Sequence, residues 1–181
     1  MCGAFAAPYQ ESCVNGVAMA FTLTQVVPAV AADPSRLDEM LFACDRVGDH
    51  VETCLRQIPY GWFELLDGDF AAVAALCTTE TASLRPRAMK QCSYGVGFLA
   101  GEHSNGVGAI AVGWCTTFAT EEMRGWCYGG AAVKAVDQWP AEPGRPASVC
   151  EAVPSIESTA RQVCDDRLRE ALAGALGPPT D

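Results

Sequence analysis

No two cysteines in this sequence stand three positions apart, so the short C-x-x-C spacing of zinc fingers and thioredoxin-type sites is absent. There are only two histidines, His50 and His103, which leaves little with which to build a metal site, and no metal or cofactor is expected. Bases are scarce: 12 Lys and Arg stand against 22 Asp and Glu, a net charge of −10. That balance excludes the clustered cations a nucleic-acid backbone requires and disfavours anionic membrane surfaces. Aromatics make up 8% of the residues, so the apolar half of the chain is carried mainly by Ala and Val, a composition suited to helices that approach closely. No P-loop, dinucleotide-binding fingerprint or nucleophile elbow occurs.

Charge is missing altogether from residues 12–32 (SCVNGVAMAFTLTQVVPAVAA). By length this run fits a signal peptide or a membrane span. No Lys or Arg precedes it, however, and Asn15, Gln25 and Pro28 interrupt it. It reads as a helix of the pattern described next; membrane contact through residues 14–32 is not favoured, and no conventional export signal is visible.

What is abundant is cysteine: ten, at Cys2, Cys13, Cys44, Cys54, Cys77, Cys92, Cys115, Cys127, Cys150 and Cys164. Successive separations run 11, 31, 10, 23, 15, 23, 12, 23 and 14, short and long alternating throughout. Three long gaps are identical, and breakers recur inside them: Asp67-Gly68-Asp69, Ser104-Asn105-Gly106 and the stretch from Pro140 to Pro146. Each block therefore reads as helix, turn, helix, with a first helix of about three turns and a second of about two to three. A further turn is expected at 33–35.

The short gaps hold the other connections. One cysteine ends a helix and the next opens its successor, so bridges are expected at Cys2–Cys13, Cys44–Cys54, Cys77–Cys92, Cys115–Cys127 and Cys150–Cys164. Pairing across the long gaps is the alternative, and it strands Cys2 and Cys164. Three helix starts share C-x-x-G, ending at Gly16, Gly95 and Gly130; the glycine one turn on is expected to admit a neighbouring helix. The fold class expected is all-α: an α-solenoid-like array of disulfide-stapled helical hairpins, about four repeats of about 38 residues. A single domain is expected over 1–176, with units near 2–44, 44–77, 77–115 and 115–150, a closing helix at 150–176, chiefly Val163 to Leu176 and the most amphipathic of the chain, and a disordered tail at 177–181.

Stacked helix pairs in which one cysteine ends a helix and another opens the next, ahead of a small residue, resemble the secreted cysteine-rich proteins related to tetratricopeptide repeats. The resemblance implies binding and interaction roles, with enzymatic activity peripheral.

Residues that could carry chemistry are few. Glu102-His103-Ser104 sets acid, base and hydroxyl in a row, but a triad is defined by convergence in space. Asp67 with Asp69, and Asp165-Asp166 with Glu170, read as turn and helix-end residues; Asp67-Gly68-Asp69 is too short for a calcium loop. The aromatics beside the cysteines, Tyr94, Trp114, Trp126 and Tyr128, either pack on the bridges or form a binding groove. The function expected is an exported protein- or peptide-binding or scaffolding module, extracellular or periplasmic, alone or within an oligomer or larger assembly. The alternatives are a reduced cysteine store for a soft metal such as Cu(I) and a hydrolase with an acidic site. In the repeat frame Cys2 ends a helix that would lie before Met1, so the chain is expected to be incomplete at its N-terminus or covered there by a partner.

Overall fold

The structure is a computed structural model that describes residues 4, 7–33, 44, 51–79 and 86–175. Among these residues the chain is helical, with no strand. It divides into two compact units, Met1–Gly95 and Val96–Asp181.

In the first unit, α1 (Ala7–Phe21) passes through a π-helical turn, Thr22–Val26, into α2 (Val27–Ala32). The π turn has a local cause. Pro28 has no N–H and its ring would collide with the carbonyl four residues back, and a wider turn just ahead of it relieves both. α2 stops at Asp33, which is extended; of the turn expected at 33–35, residues 34 and 35 lie outside the described residues. α3 (Val51–Leu65) packs on α1 and is followed by α4 (Phe70–Thr79). Ile58, Trp62, Val73 and Cys77 form the buried centre of this unit. α5 (Pro86–His103) supplies its first half here and its second half to the other unit.

The second unit continues with α6 (Gly108–Cys115), α7 (Glu121–Gln138), α8 (Gly144–Glu151) and α9 (Ser158–Ala175). α7 packs extensively on α9, and α8 packs on both α6 and α7. The core here is built of small side chains, Ala131, Ala132 and Ala135 on α7, around the larger Leu99, Phe118 and Val149.

Four of the expected bridges are present: Cys44–Cys54, Cys77–Cys92, Cys115–Cys127 and Cys150–Cys164, with Cα atoms 5.3 to 5.6 Å apart. All cross the short gaps. The fifth, Cys2–Cys13, involves Cys2, which lies outside the described residues, as do His50 and the tail at 177–181. Disulfides of this kind form in an oxidising environment. Among the described residues no helix is long and apolar enough to cross a membrane.

The turns at 67–69 and 103–106 are where the breakers place them, and they share one geometry. Asp67 and Asn105 both have φ of 51°, followed by Gly68 at 83° and Gly106 at 70°. In each, the glycine N–H bonds back five residues, Gly68 to the Phe63 carbonyl and Gly106 to the Gly101 carbonyl. This is a glycine-terminated helix end in which the left-handed residues satisfy the last carbonyls. The third block differs: it turns over Trp139 to Pro143, and α8 already begins at Gly144, inside the stretch expected to be irregular. Pro146 is accommodated because the first turn of a helix needs no N–H donor there.

The long helices correct the expected boundaries. α3 has 15 residues and α5, α7 and α9 have 18, four to five turns rather than three. They begin before the cysteine, so Cys92, Cys127 and Cys164 each sit two turns in. The polar stretches read as loops supply the extra turns. Pro86 opens α5, where its fixed φ suits a helix start. Thr120 caps α7 by accepting from Met123 N–H at 3.3 Å. Glu121 of α7 reaches across to accept the Thr159 and Ala160 N–H groups at 3.0 and 3.1 Å, capping the start of α9. α9 therefore starts at Ser158 rather than near Val163, and α3, not α9, separates polar from apolar faces most sharply.

The C-x-x-G glycines do not behave alike. A Cβ on Gly95 would strike the Arg56 carbonyl and the Pro59 ring, so this glycine does admit a neighbouring helix. Gly130 is buried. Gly16 faces open space, with nothing within 4 Å.

Candidate functional site

The four aromatic candidates separate according to helix geometry. Trp126 and Tyr128 are two residues apart on α7, about 200° around its axis, so they occupy opposite sides. Tyr128 is 0% exposed and leaves the set of surface contacts. Its hydroxyl donates to Glu157 Oε2 at 3.1 Å, while Arg124 Nε donates to Glu157 Oε1 at 3.0 Å. Arg124 also donates to the carbonyls of Phe118 and Ala119, at 3.0 and 3.2 Å. The group therefore ties α7 to the connection that precedes it, at Phe118 and Ala119, and to the connection between α8 and α9, at Glu157. Both Glu157 oxygens and the Arg124 Nε and Nη1 groups are matched, as a half-buried ion pair requires.

Burial, reinforced by the Glu157 hydrogen bond and charge, pushes the Tyr128 phenol well above its ordinary value of 10.0. The unfolded chain loses this proton near pH 10 and the folded chain retains it. The stability that this phenol contributes is thus complete below pH 10 and declines as pH rises beyond it. In an alkaline titration, tyrosinate absorbance from Tyr128 should appear only together with loss of the helical circular dichroism. Ionisation of all four tyrosines in a chain that stays helical would contradict the buried placement.

Tyr94, Trp114 and Trp126 are half-buried. Tyr94 lies beneath the Arg56 guanidinium, 5.2 Å from its ring centre, and Arg56 also donates to Gln91 Oε1 at 3.0 Å. Gln91 in turn donates to Glu52 at 3.2 Å. Trp126 lies beneath Arg167 at 5.3 Å, and Arg167 pairs with Glu170 at 2.7 Å. These are cation–π contacts between successive long helices, α3 with α5 in the first unit and α7 with α9 in the second. They join polar networks and do not form a bare aromatic row.

The acidic candidates are absorbed by structure. Asp69 caps α4, accepting the Ala71 and Ala72 N–H groups at 2.9 and 3.0 Å. Asp166 pairs with Arg169 at 2.9 Å on the surface of α9. Glu102 pairs with Lys134 at 3.2 Å, His103 is exposed, and the buried Ser104 hydroxyl donates to the Gly101 carbonyl, so the three do not converge. Partial desolvation raises the Asp137 carboxyl, opposed by the Lys134 ammonium. Among the described residues no three His, Cys, Asp or Glu side chains are grouped to hold a metal ion.

Reasoning from cysteine spacing missed the surface of α6. From Val107 to Thr120 the chain carries no charge. Val107 is 48% exposed and Ile110 46%, with Ala109 and Gly113 exposed beside them. The signal was present in the sequence as an uncharged run of 14 residues, 107–120, hidden because five of them, Gly108, Ala111, Val112, Cys115 and Phe118, are core.

No protein-family model matches the chain, and neither a curated protein nor a solved structure is significantly similar to it.

Proposed function

We propose that the chain is an exported protein- or peptide-binding module, its helical hairpins stacked as an array in which the bridges fix each hairpin to the next. The stacking is supported by like-to-like contacts. A Cβ on Gly97 of α5 would strike the Cys127 carbonyl of α7, one on Gly125 of α7 would sit 2.9 Å from Ala160 of α9, and one on Gly108 of α6 would strike the Ser148 carbonyl of α8. From one hairpin to the next, the long α5, α7 and α9 meet in sequence and the short α6 meets the short α8, as in hairpin arrays. The identical turns at Asp67-Gly68 and Asn105-Gly106, each 13 residues after a cysteine, support the same reading. Export is supported by the four bridges.

The observation that carries the binding reading is the solvent face of α6, where Val107 and Ile110 stand exposed in an uncharged strip. A partner segment with apolar side chains is the ligand such a strip recognises, with affinity concentrated at a few residues. Selection from a displayed peptide library should enrich apolar sequences that bind the wild type. The same peptides should bind a Val107→Glu/Ile110→Glu variant at least about 10-fold more weakly, since loss of an anchor costs on the order of 2 kcal/mol. Peptides that bind both proteins equally, or a library that yields none, would refute the assignment.

A further inference from the structure

The two glycine-terminated turns share a backbone but not a chemistry. Where the first has Asp67-Gly68, the second has Asn105-Gly106, with the same φ of 51° ahead of the glycine. The turn itself calls for this pair. Asparagine is among the few side chains that accept positive φ. A Cβ on Gly106 would sit 3.0 Å from the Trp139 ring, at a φ of 70°, so glycine is what fits. Asparagine ahead of glycine is also the dipeptide in which the next backbone nitrogen reaches the side-chain amide most freely, because no side chain shields that nitrogen. Asn105 is exposed to water.

Hydrogen bonds hold this dipeptide in place. The Gly106 N–H donates to the Gly101 carbonyl at 3.3 Å. Arg145 Nη1 donates to the Asn105 carbonyl at 2.8 Å, and the Ser148 hydroxyl to the Gly106 carbonyl at 3.4 Å. Arg145 is itself fixed, paired with Glu142 at 2.6 Å and 5.0 Å from the centre of the Trp139 ring. In left-handed backbone, with ψ near about 47°, the following nitrogen points away from Cβ. Closing a ring between that nitrogen and the side chain needs the two on the same side. The peptide must therefore turn about the Asn105 Cα–C bond, which breaks the bonds to Arg145 and Gly101.

We propose that Asn105 is a site of spontaneous deamidation whose rate is restrained by the Arg145 clamp. When the turn lifts from α8 by local opening, the Gly106 nitrogen loses its proton to hydroxide and attacks Asn105 Cγ. The N–Cγ bond forms, the Cγ–Nδ2 bond breaks, and ammonia leaves with a proton taken back from water. Water then opens the resulting succinimide ring. Cleavage at Cγ leaves ordinary aspartate; cleavage at the main-chain carbonyl leaves isoaspartate, with the chain running through Cγ. Either product adds one negative charge. The first suits the turn, since Asp67 holds the same φ. The second inserts a backbone carbon, and Gly106 loses its seat against Trp139.

Peptide mapping by mass spectrometry after incubation in mildly alkaline buffer tests this. The chain's other asparagine, Asn15, also precedes a glycine and lies within α1, so it serves as an internal reference. Folded wild type should convert at Asn105, at least about tenfold more slowly than the same chain reduced and unfolded in denaturant. Arg145→Ala should accelerate conversion at Asn105 about tenfold, as loss of a hydrogen bond from a charged donor implies, with the Asn15 rate and the helical spectrum unchanged. Asn105→Asp should unfold at the wild-type denaturant midpoint. Conversion at Asn105 as fast folded as unfolded, or none in the folded protein, would overturn the proposal. So would an Arg145→Ala protein that converts at the wild-type rate or accelerates equally at both asparagines, and so would an Asn105→Asp protein of clearly lower midpoint.

Discussion

Reduced in denaturant and returned to buffer with its thiols blocked, the protein is expected not to regain its helical spectrum. In millimolar dithiothreitol without denaturant, the native protein should keep all four described bridges. The second outcome follows from burial: the eight half-cystines are between 0 and 4% exposed. Thiol–disulfide exchange requires a thiolate to reach a sulfur, which here requires the chain to open first. The first outcome follows from magnitude. Loops of 10 to 15 residues close each bridge, and in the chain-entropy model each constrains the unfolded state by about 3 kcal/mol. Four independent bridges approach the whole stability of a typical domain, about 5–15 kcal/mol. Little else compensates, because α6 and α8 have only eight residues each, below the length at which helices persist alone. Alkylation with mass spectrometry reads the bridges, and far-ultraviolet circular dichroism reads the fold. A fully reduced, blocked chain that melts cooperatively from a native-like helical state would show that packing alone suffices.

Covalent and backbone constraints were the parts legible in the sequence. A bridge demands Cα atoms within a narrow distance, so alternating gaps carry geometric information that survives without knowledge of the rest of the fold. Asp67-Gly68 and Asn105-Gly106 were legible for a similar reason, since few residues adopt positive φ. The helix starts were legible only in part: a Thr followed by Glu ahead of Cys127 is a helix-start signal, and Thr120 does cap α7, but Pro86 reads equally well as loop or as first turn, and nothing in the spacing says that the helix begins two turns before its cysteine. The fates of the aromatics were also hidden. Adjacency to a cysteine does not say which side of the helix a residue takes, and two positions separate the buried Tyr128 from the half-buried Trp126. Nor could spacing tell Gly95 from Gly16, since the same motif is pressed against a neighbour in one case and open in the other.

Glycine in a helix should reveal that difference as opposite signs of stability change. Gly97→Ala is expected to destabilise the protein and Gly113→Ala to stabilise it, although both replace a helical glycine by the best helix former. Relieved of context, each change gains about 0.5–1 kcal/mol from the lower backbone freedom of alanine. At Gly113 in α6 nothing lies within 4 Å, so the full gain should appear. At Gly97 the new methyl would run into the Cys127 carbonyl and stand 2.9 Å from the Ala131 nitrogen. Both are backbone atoms of α7, which no side-chain rotation can move aside. α5 and α7 must separate, loosening the contacts of Val96, Leu99 and Ala131, all at most 1% exposed. The Cys115–Cys127 bridge holds α7 two turns in, at the residue whose carbonyl the methyl would meet, and limits how far it can yield. Overpacking of this kind costs about 1–3 kcal/mol and sometimes more, which outweighs the propensity gain. Denaturant midpoints should therefore move in opposite directions with the dependence on denaturant unchanged. A Gly97→Ala protein as stable as Gly113→Ala would mean that α5 and α7 are not in backbone contact, and with it the close packing of the long helices would fail.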